Sequence, residues 1–147
     1  MQWNDLIVRA SASTVHAYAP YSGQVAGAAA VVADGRVVLG CNVENAIHGL
    51  TLCAECSLIS QLRLTGGGRL TQFVCVDGLG QVTLPCGRCR ELLWEHAGPE
   101  LRLMTPQGER TLAEVLPDGG RERAAAGWGP GAKDNGGHEP HRPGSDN

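Results

Sequence analysis

Cys53-Ala54-Glu55-Cys56-Ser57-Leu58-Ile59, Leu70-Thr71-Gln72-Phe73-Val74-Cys75-Val76 and Pro85-Cys86-Gly87-Arg88-Cys89 follow one another along the middle of the chain. The first stretch continues through Leu62 and Leu64 with apolar side chains at helical spacing, and Gly66-Gly67-Gly68 stops it. The second is near-continuously apolar, the pattern of a central strand buried on both faces. The third begins with a proline suited to the start of a helix, which should cover residues 86–96. A helix, a buried strand and a second helix in succession define an α/β unit, with both helices packed on a sheet.

Outward from that unit, the flanks supply the rest of the fold. Asn4 or Asp5 should cap a first helix reaching about His16, with Leu6, Ile7, Ala10 and Thr14 as its apolar stripe. Residues 17–23 contain Pro20 and Gly23 and read as a loop. Strands are expected over 25–33 and 36–40, joined at Asp34-Gly35, a strong short hairpin signal. Residues 101–104 should form a short strand and 111–116 a short last helix.

The sequence has 147 residues, 42% hydrophobic and 18% charged, which fits one globular domain. Its formal net charge is −3, and eleven of its twelve basic residues are arginines scattered without a patch. That balance argues against a nucleic-acid or membrane-surface binder. The start, Met1-Gln2-Trp3-Asn4-Asp5, has neither a basic segment nor an apolar signal core, so a cytoplasmic protein is expected. Residues 118–147 hold eight glycines and three prolines, with Trp128 the one large apolar side chain. This composition predicts a disordered tail following a domain over residues 1–117.

Six cysteines, Cys41, Cys53, Cys56, Cys75, Cys86 and Cys89, carry the chemical signal. A reducing compartment makes disulfides unexpected, and the close pairs Cys53/Cys56 and Cys86/Cys89 read as metal ligands. Cys75, in an apolar strand, reads as a buried inert thiol, and Cys41 has no assigned role. Spacing allows two zinc sites. Four thiols would close a structural tetrahedron; three would leave an open position, with Glu55 placed at a helix start to move protons. Both remain open on spacing alone.

Cys53-Ala54-Glu55 together with Pro85-Cys86-Gly87-Arg88-Cys89 resembles the zinc signature of the cytidine deaminase family. Asn42-Val43-Glu44-Asn45-Ala46, Tyr21-Ser22-Gly23, Gly27-Ala28-Ala29 and Leu116-Pro117 resemble further family segments in the right order, so the likeness spans about residues 5–118. The resemblance implies a three-layer α/β/α fold with a mixed central sheet and a homotetramer. It implies zinc on Cys53, Cys86 and Cys89, and Glu55 as the group that moves protons while water adds to C4 of cytosine and ammonia leaves. It also implies that Asn42 and Glu44 bind the ribose and the Ala54 amide holds the ring carbonyl. The substrate would be a small nucleoside, with no nucleic-acid or membrane partner.

The chain departs from the family pattern at four places. Cys56 stands where many members have an arginine, whose charge offsets that of the thiolates; Arg88 or Arg90 is the candidate replacement. Gln24 occupies the place of a phenylalanine, and Asp118-Gly119-Gly120 that of a second one. His48 replaces a common tyrosine. The lost aromatic stacking leaves room for a modified cytosine nucleoside as substrate, as in blasticidin-S deaminases, which also resemble residues 85–90. A four-cysteine structural zinc module is the non-enzymatic alternative.

Overall fold

In the computed structural model, which describes residues 1–120, a six-stranded mixed sheet lies between helices on both faces. Helix α1 covers Trp3–Ser13, strands β1 and β2 cover Ala26–Val32 and Val37–Cys41, and α2 covers Ala54–Leu64. Strands β3 (Leu70–Asp77) and β4 (Val82–Thr83) precede α3 (Gly87–Ala97). Strands β5 (Arg102–Thr105) and β6 (Gly108–Thr111) and the short α4 (Leu112–Val115) complete the chain described. The α/β/α architecture and mixed sheet are those expected.

Strand order is β2-β1-β3-β5-β6, with β3 and β5 the parallel pair and the other pairings antiparallel. Alternation along β1 separates the two core layers. Ala29 and Val31 meet Leu6 and Ala10 of α1, whereas Ala28, Ala30 and Val32 meet Leu58 and Leu62 of α2 and Leu93 of α3. Phe73 and Cys75 of β3 face the α2–α3 side, and Val74 and Val76 face α1.

Asp34-Gly35 forms the expected turn, with Gly35 at φ +92°, where a side chain is strained. Helix α1 starts earlier than expected. Its N-cap is Gln2, with no side-chain cap, so neither Asn4 nor Asp5 caps it; Asp5 instead lies in the first turn, where its charge favours the helix dipole. Thr111 and Glu114 form a reciprocal capping box on α4.

Two strands were not anticipated. β6 pairs with β5 over a four-residue register and is tied to α1 by the Trp3 indole N–H, which donates to Glu109. β4 is only two residues long, yet it pairs with the second half of β3 (Cys75 with Thr83, Val76 with Val82), while β5 pairs with the first half. That edge of the sheet therefore splits, and the chain leaves it through Leu84 and Pro85 directly into α3. Residues 117–120 form a turn beside Trp94 and Glu91. The remainder of the expected tail, with Trp128, lies outside the described residues. Among the described residues no helix is long and apolar enough to cross a membrane.

One close approach places the start of α2. A Cβ built on Gly40 of β2 would stand 2.1 Å from the Ala54 carbonyl oxygen and 2.6 Å from the Leu58 nitrogen. Both neighbours are backbone and cannot swing aside. We expect Gly40→Ala to lower stability by about 1–3 kcal/mol in urea denaturation. Gly49→Ala, where a Cβ meets nothing within 4 Å, should change it by less than about 0.5 kcal/mol.

Candidate active site

Cys53 and Cys86 occupy equivalent positions: each is the N-cap residue of its helix, α2 and α3, in extended conformation. Cys89 follows in the first turn of α3 and is completely buried. Because both helices pack on the same face of the sheet and begin at the same end, the three sulfurs lie within 4.8 Å of one another. Tetrahedral zinc, with Zn–S near 2.3 Å, needs sulfurs about 3.8 Å apart, so this trio fits the metal with little adjustment. Cys56 belongs to the first turn of α2, but its sulfur is not among those that converge. Among the described residues the cluster has three thiols, which leaves the fourth direction to another ligand.

Glu55 follows Cys53 in α2 and is 5% exposed, an unusual burial for a carboxylate. It lines a cavity of about 780 Å³ whose walls also include Cys53, Ala54, Cys86, Asn42 and Gln24. The cavity opens where β2 and β3 end and β1 begins, beside the N-termini of α2 and α3, the usual ligand position in an open α/β sheet.

The electrostatics follow from burial and crowded negative charge. Burial, then the Glu55 carboxylate, raises the Cys89 thiol pKa. Burial also raises Cys53, against the opposing effect of hydrogen bonds from Cys89 and Arg88. At Cys86 burial acts upward too, but the Cys89 backbone N–H and the neighbouring thiols outweigh it, and its pKa falls. Arg88 donates through Nη2 to Cys53 Sγ at 3.6 Å and to the Thr51 carbonyl at 3.5 Å. Arg90 does not reach the thiols; its Nη1 donates to the Val115 carbonyl on α4.

Asn42 and Glu44 are placed differently. Asn42 lies on the wall, where Oδ1 accepts from Ala26 N at 2.7 Å and Nδ2 donates to the Gln24 carbonyl at 2.8 Å. Glu44 is outside the wall residues. Its Oε1 accepts from the Tyr21 and Ser22 backbone N–H groups at 3.1 and 3.2 Å, which hold the preceding turn. Burial acts against ionisation of Glu44, but the Ser22 and Tyr21 donors prevail and hold its carboxyl below the usual range.

Cys75, expected to be an inert core thiol, is buried, yet it forms part of the cavity wall. Its sulfur donates to the Thr83 carbonyl at 3.1 Å. Burial, and after it the Glu55 charge, pushes the thiol up to about 12. Thr83, Leu84 and Leu79 also reach the wall through β4 and the turn before it. A two-residue strand carries no periodicity from which they could be anticipated.

Fold and site together define a zinc-dependent hydrolytic enzyme built on an α/β/α sheet. A family model described as the cytidine and deoxycytidylate deaminase zinc-binding region matches residues 1–104, and the chain belongs to that family. It is 54% identical to a cytidine deaminase of Mycobacterium tuberculosis over 118 residues, covering 80% of this chain and 89% of that protein. A cytidine deaminase of Halalkalibacterium halodurans is 36% identical over 117 residues, covering 76% of this chain and 89% of that protein. The crystal structure of cytidine deaminase from Mycobacterium leprae superimposes with a TM-score of 0.79 at 56% identity, over 80% of this chain and 98% of that one.

Thiol titration tests this electrostatic picture. In metal-free protein near neutral pH, iodoacetamide should label Cys86 first and leave Cys75 unlabelled, as read by peptide mass spectrometry. The folded pKa of Cys75 lies above the roughly 8.5 of a free thiol, so the unfolded chain ionises first. Its contribution to stability is complete below about pH 8.5 and is lost as pH rises toward 12. The native chain should therefore lose stability relative to Cys75→Val over that interval.

Proposed function

We propose that this chain catalyses the hydrolytic deamination of cytidine and deoxycytidine to uridine and deoxyuridine, with release of ammonia, in pyrimidine salvage. The observation that carries the proposal is the convergence of three thiols with a buried carboxylate on one wall of an open cavity. Cys53, Cys86 and Cys89 hold zinc, which when bound acts as a Lewis acid and lowers the pKa of a water toward neutrality. Glu55 accepts a proton from the attacking water and delivers it to ring N3 as C4 becomes tetrahedral. It then takes the proton of the new C4 hydroxyl and passes it to the amino group, so that the C4 carbonyl forms as the C–N bond breaks and ammonia leaves. The Ala54 N–H, at the first turn of α2 with no acceptor inside the helix, holds the ring carbonyl.

Asn42 has one further lone pair on Oδ1 and one further hydrogen on Nδ2 beyond the bonds already made. Those positions, with the second carboxylate oxygen of Glu44, recognise a ribose hydroxyl. A pocket that hydrogen-bonds a hydroxyl rejects analogues without it, so nucleosides are favoured over free cytosine.

The same proposal includes a homotetramer in the cytoplasm. Tyr18, Val43 and Leu52 lie side by side through isolated bridges and, with nearby Ile47 and Leu50, expose apolar side chains beside the cavity. Such a surface suits burial against copies of the chain. Six free cysteines among the described residues suit a compartment that keeps thiols reduced.

A second reading has one specific observation behind it. Among the described residues no aromatic ring lines the cavity, and the Gln24 amide stands on its wall. A cytosine nucleoside carrying an additional polar group would satisfy that amide.

Loss of cytidine absorbance in the ultraviolet tests the chemistry directly. The parent chain should convert cytidine to uridine, and Glu55→Gln should retain zinc while losing about 100- to 10,000-fold in kcat. No turnover of cytidine or deoxycytidine at millimolar concentration would overturn them as substrates; turnover of a polar-substituted cytosine nucleoside under the same conditions would establish the second reading. Light scattering should give four times the chain mass, and a monomer mass would exclude the tetramer.

A further inference from the structure

Three thiolates around one divalent cation leave the site with a net charge of −1, and the buried Glu55 carboxylate adds to it on the same wall. Little solvent reaches Cys89 and Glu55 to screen that excess. The partial positive charge of two helix N-termini offsets part of it, but each is worth only about half an elementary charge. A full positive charge on a ligand sulfur is a different matter.

Arg88 supplies one. It lies in the first turn of α3, between Cys86 and Cys89 in sequence, and is thus carried by the helix that bears two of the three thiols. Its guanidinium reaches across to the third, with Nη2 at 3.6 Å from Cys53 Sγ at the start of α2 and 3.5 Å from the Thr51 carbonyl just before it. Two acceptors on the α2 side thus orient one planar donor from the α3 side, which crosses the seam between the two ligand-bearing helices. Arg90, two residues further on, is turned away onto α4 through the Val115 carbonyl. Arg36 is committed to Asp34 and to the Thr65 and Gly67 carbonyls, and Arg69 to the Ala97 carbonyl.

We infer that Arg88 is a positioning residue for the metal centre: by donating to Cys53 across the helix seam it balances the surplus charge of the three-thiolate site and holds Cys53 in register with Cys86 and Cys89. It is not among the residues that line the cavity. Its influence passes through sulfur, because a thiolate that accepts a hydrogen bond from a guanidinium gives less electron density to the metal, which stays the stronger Lewis acid. The inference rests on the zinc-dependent deaminase reading above.

Arg88→Gln and Arg88→Lys test it. Gln keeps most of the length and a donor but removes the charge; Lys keeps the charge without the planar fork. Competition against a chelator of known affinity should show zinc held about 10- to 100-fold more weakly by Arg88→Gln, with Arg88→Lys recovering part of the loss. In the cobalt-substituted protein the thiolate-to-metal charge-transfer band should shift in Arg88→Gln. In cytidine turnover kcat should fall while KM stays within about twofold, a split that a general loss of structure would not produce. A parent chain that binds zinc and turns over cytidine beside an Arg88→Gln variant with unchanged zinc affinity, cobalt spectrum and kcat overturns this role alone. A parent that holds no zinc overturns both this role and the function on which it rests.

Discussion

At Gly40 the backbone of β2 runs against the first turn of α2 so closely that no side chain fits between them, and this contact sets where Cys53, Ala54 and Glu55 stand. Helix α3 reaches the same end of the sheet by another route, through the short β4 and the buried Pro85. The three converging thiols come from both helices, so an error in either seat would separate Cys53 from Cys86 and Cys89. Gly27 does the same for the opposite layer, since a Cβ there would stand 2.1 Å from the Ala10 carbonyl of α1. The run of small residues in β1 is thus a spacing device: it lets helices on both faces approach the sheet without cavities.

Bringing two helix starts together concentrates donors as well as thiols. The free N–H groups of both first turns point into one region, which favours anionic sulfur. Burial acts in the opposite sense on Cys53 and Cys89, and the Glu55 charge reinforces it. The site is therefore poised between a helix environment that favours thiolates and a desolvated one that resists them. A metal cation would resolve that conflict by stabilising the thiolate form.

Much of the site was legible because its spacing is local. Cys53 with Glu55, and Cys86 with Cys89, each fall within one helical turn, and turn-length spacing survives in sequence whatever the fold. Pro85 and the triple glycine at residues 66–68 marked helix limits for equally local reasons. β4 and β6 were not legible. Each exists because a long-range partner strand offers it hydrogen bonds, and neither is long enough to show a hydrophobic period of its own. The α1 cap failed for a related reason: Leu6, Ala10 and Ile7 bury against the sheet and drive the helix, so a side-chain cap is dispensable.

By itself the sequence determined the α/β succession, two close pairs of candidate thiol ligands and the carboxylate beside them, because helix periodicity, hairpin chemistry and turn-scale spacing are properties of neighbouring residues. Which thiols come together was visible only in the tertiary structure: Cys56 is as near to Cys53 in sequence as Cys89 is to Cys86, yet its sulfur is not among those that converge on the shared end of α2 and α3. Tertiary structure likewise selected Arg88 over Arg90 for the thiols, and brought Cys75 to the cavity wall beside Glu55. The physical reason is common to all three. Side-chain direction on a helix or strand follows from local geometry, but what that direction meets depends on elements packed from thirty or more residues away.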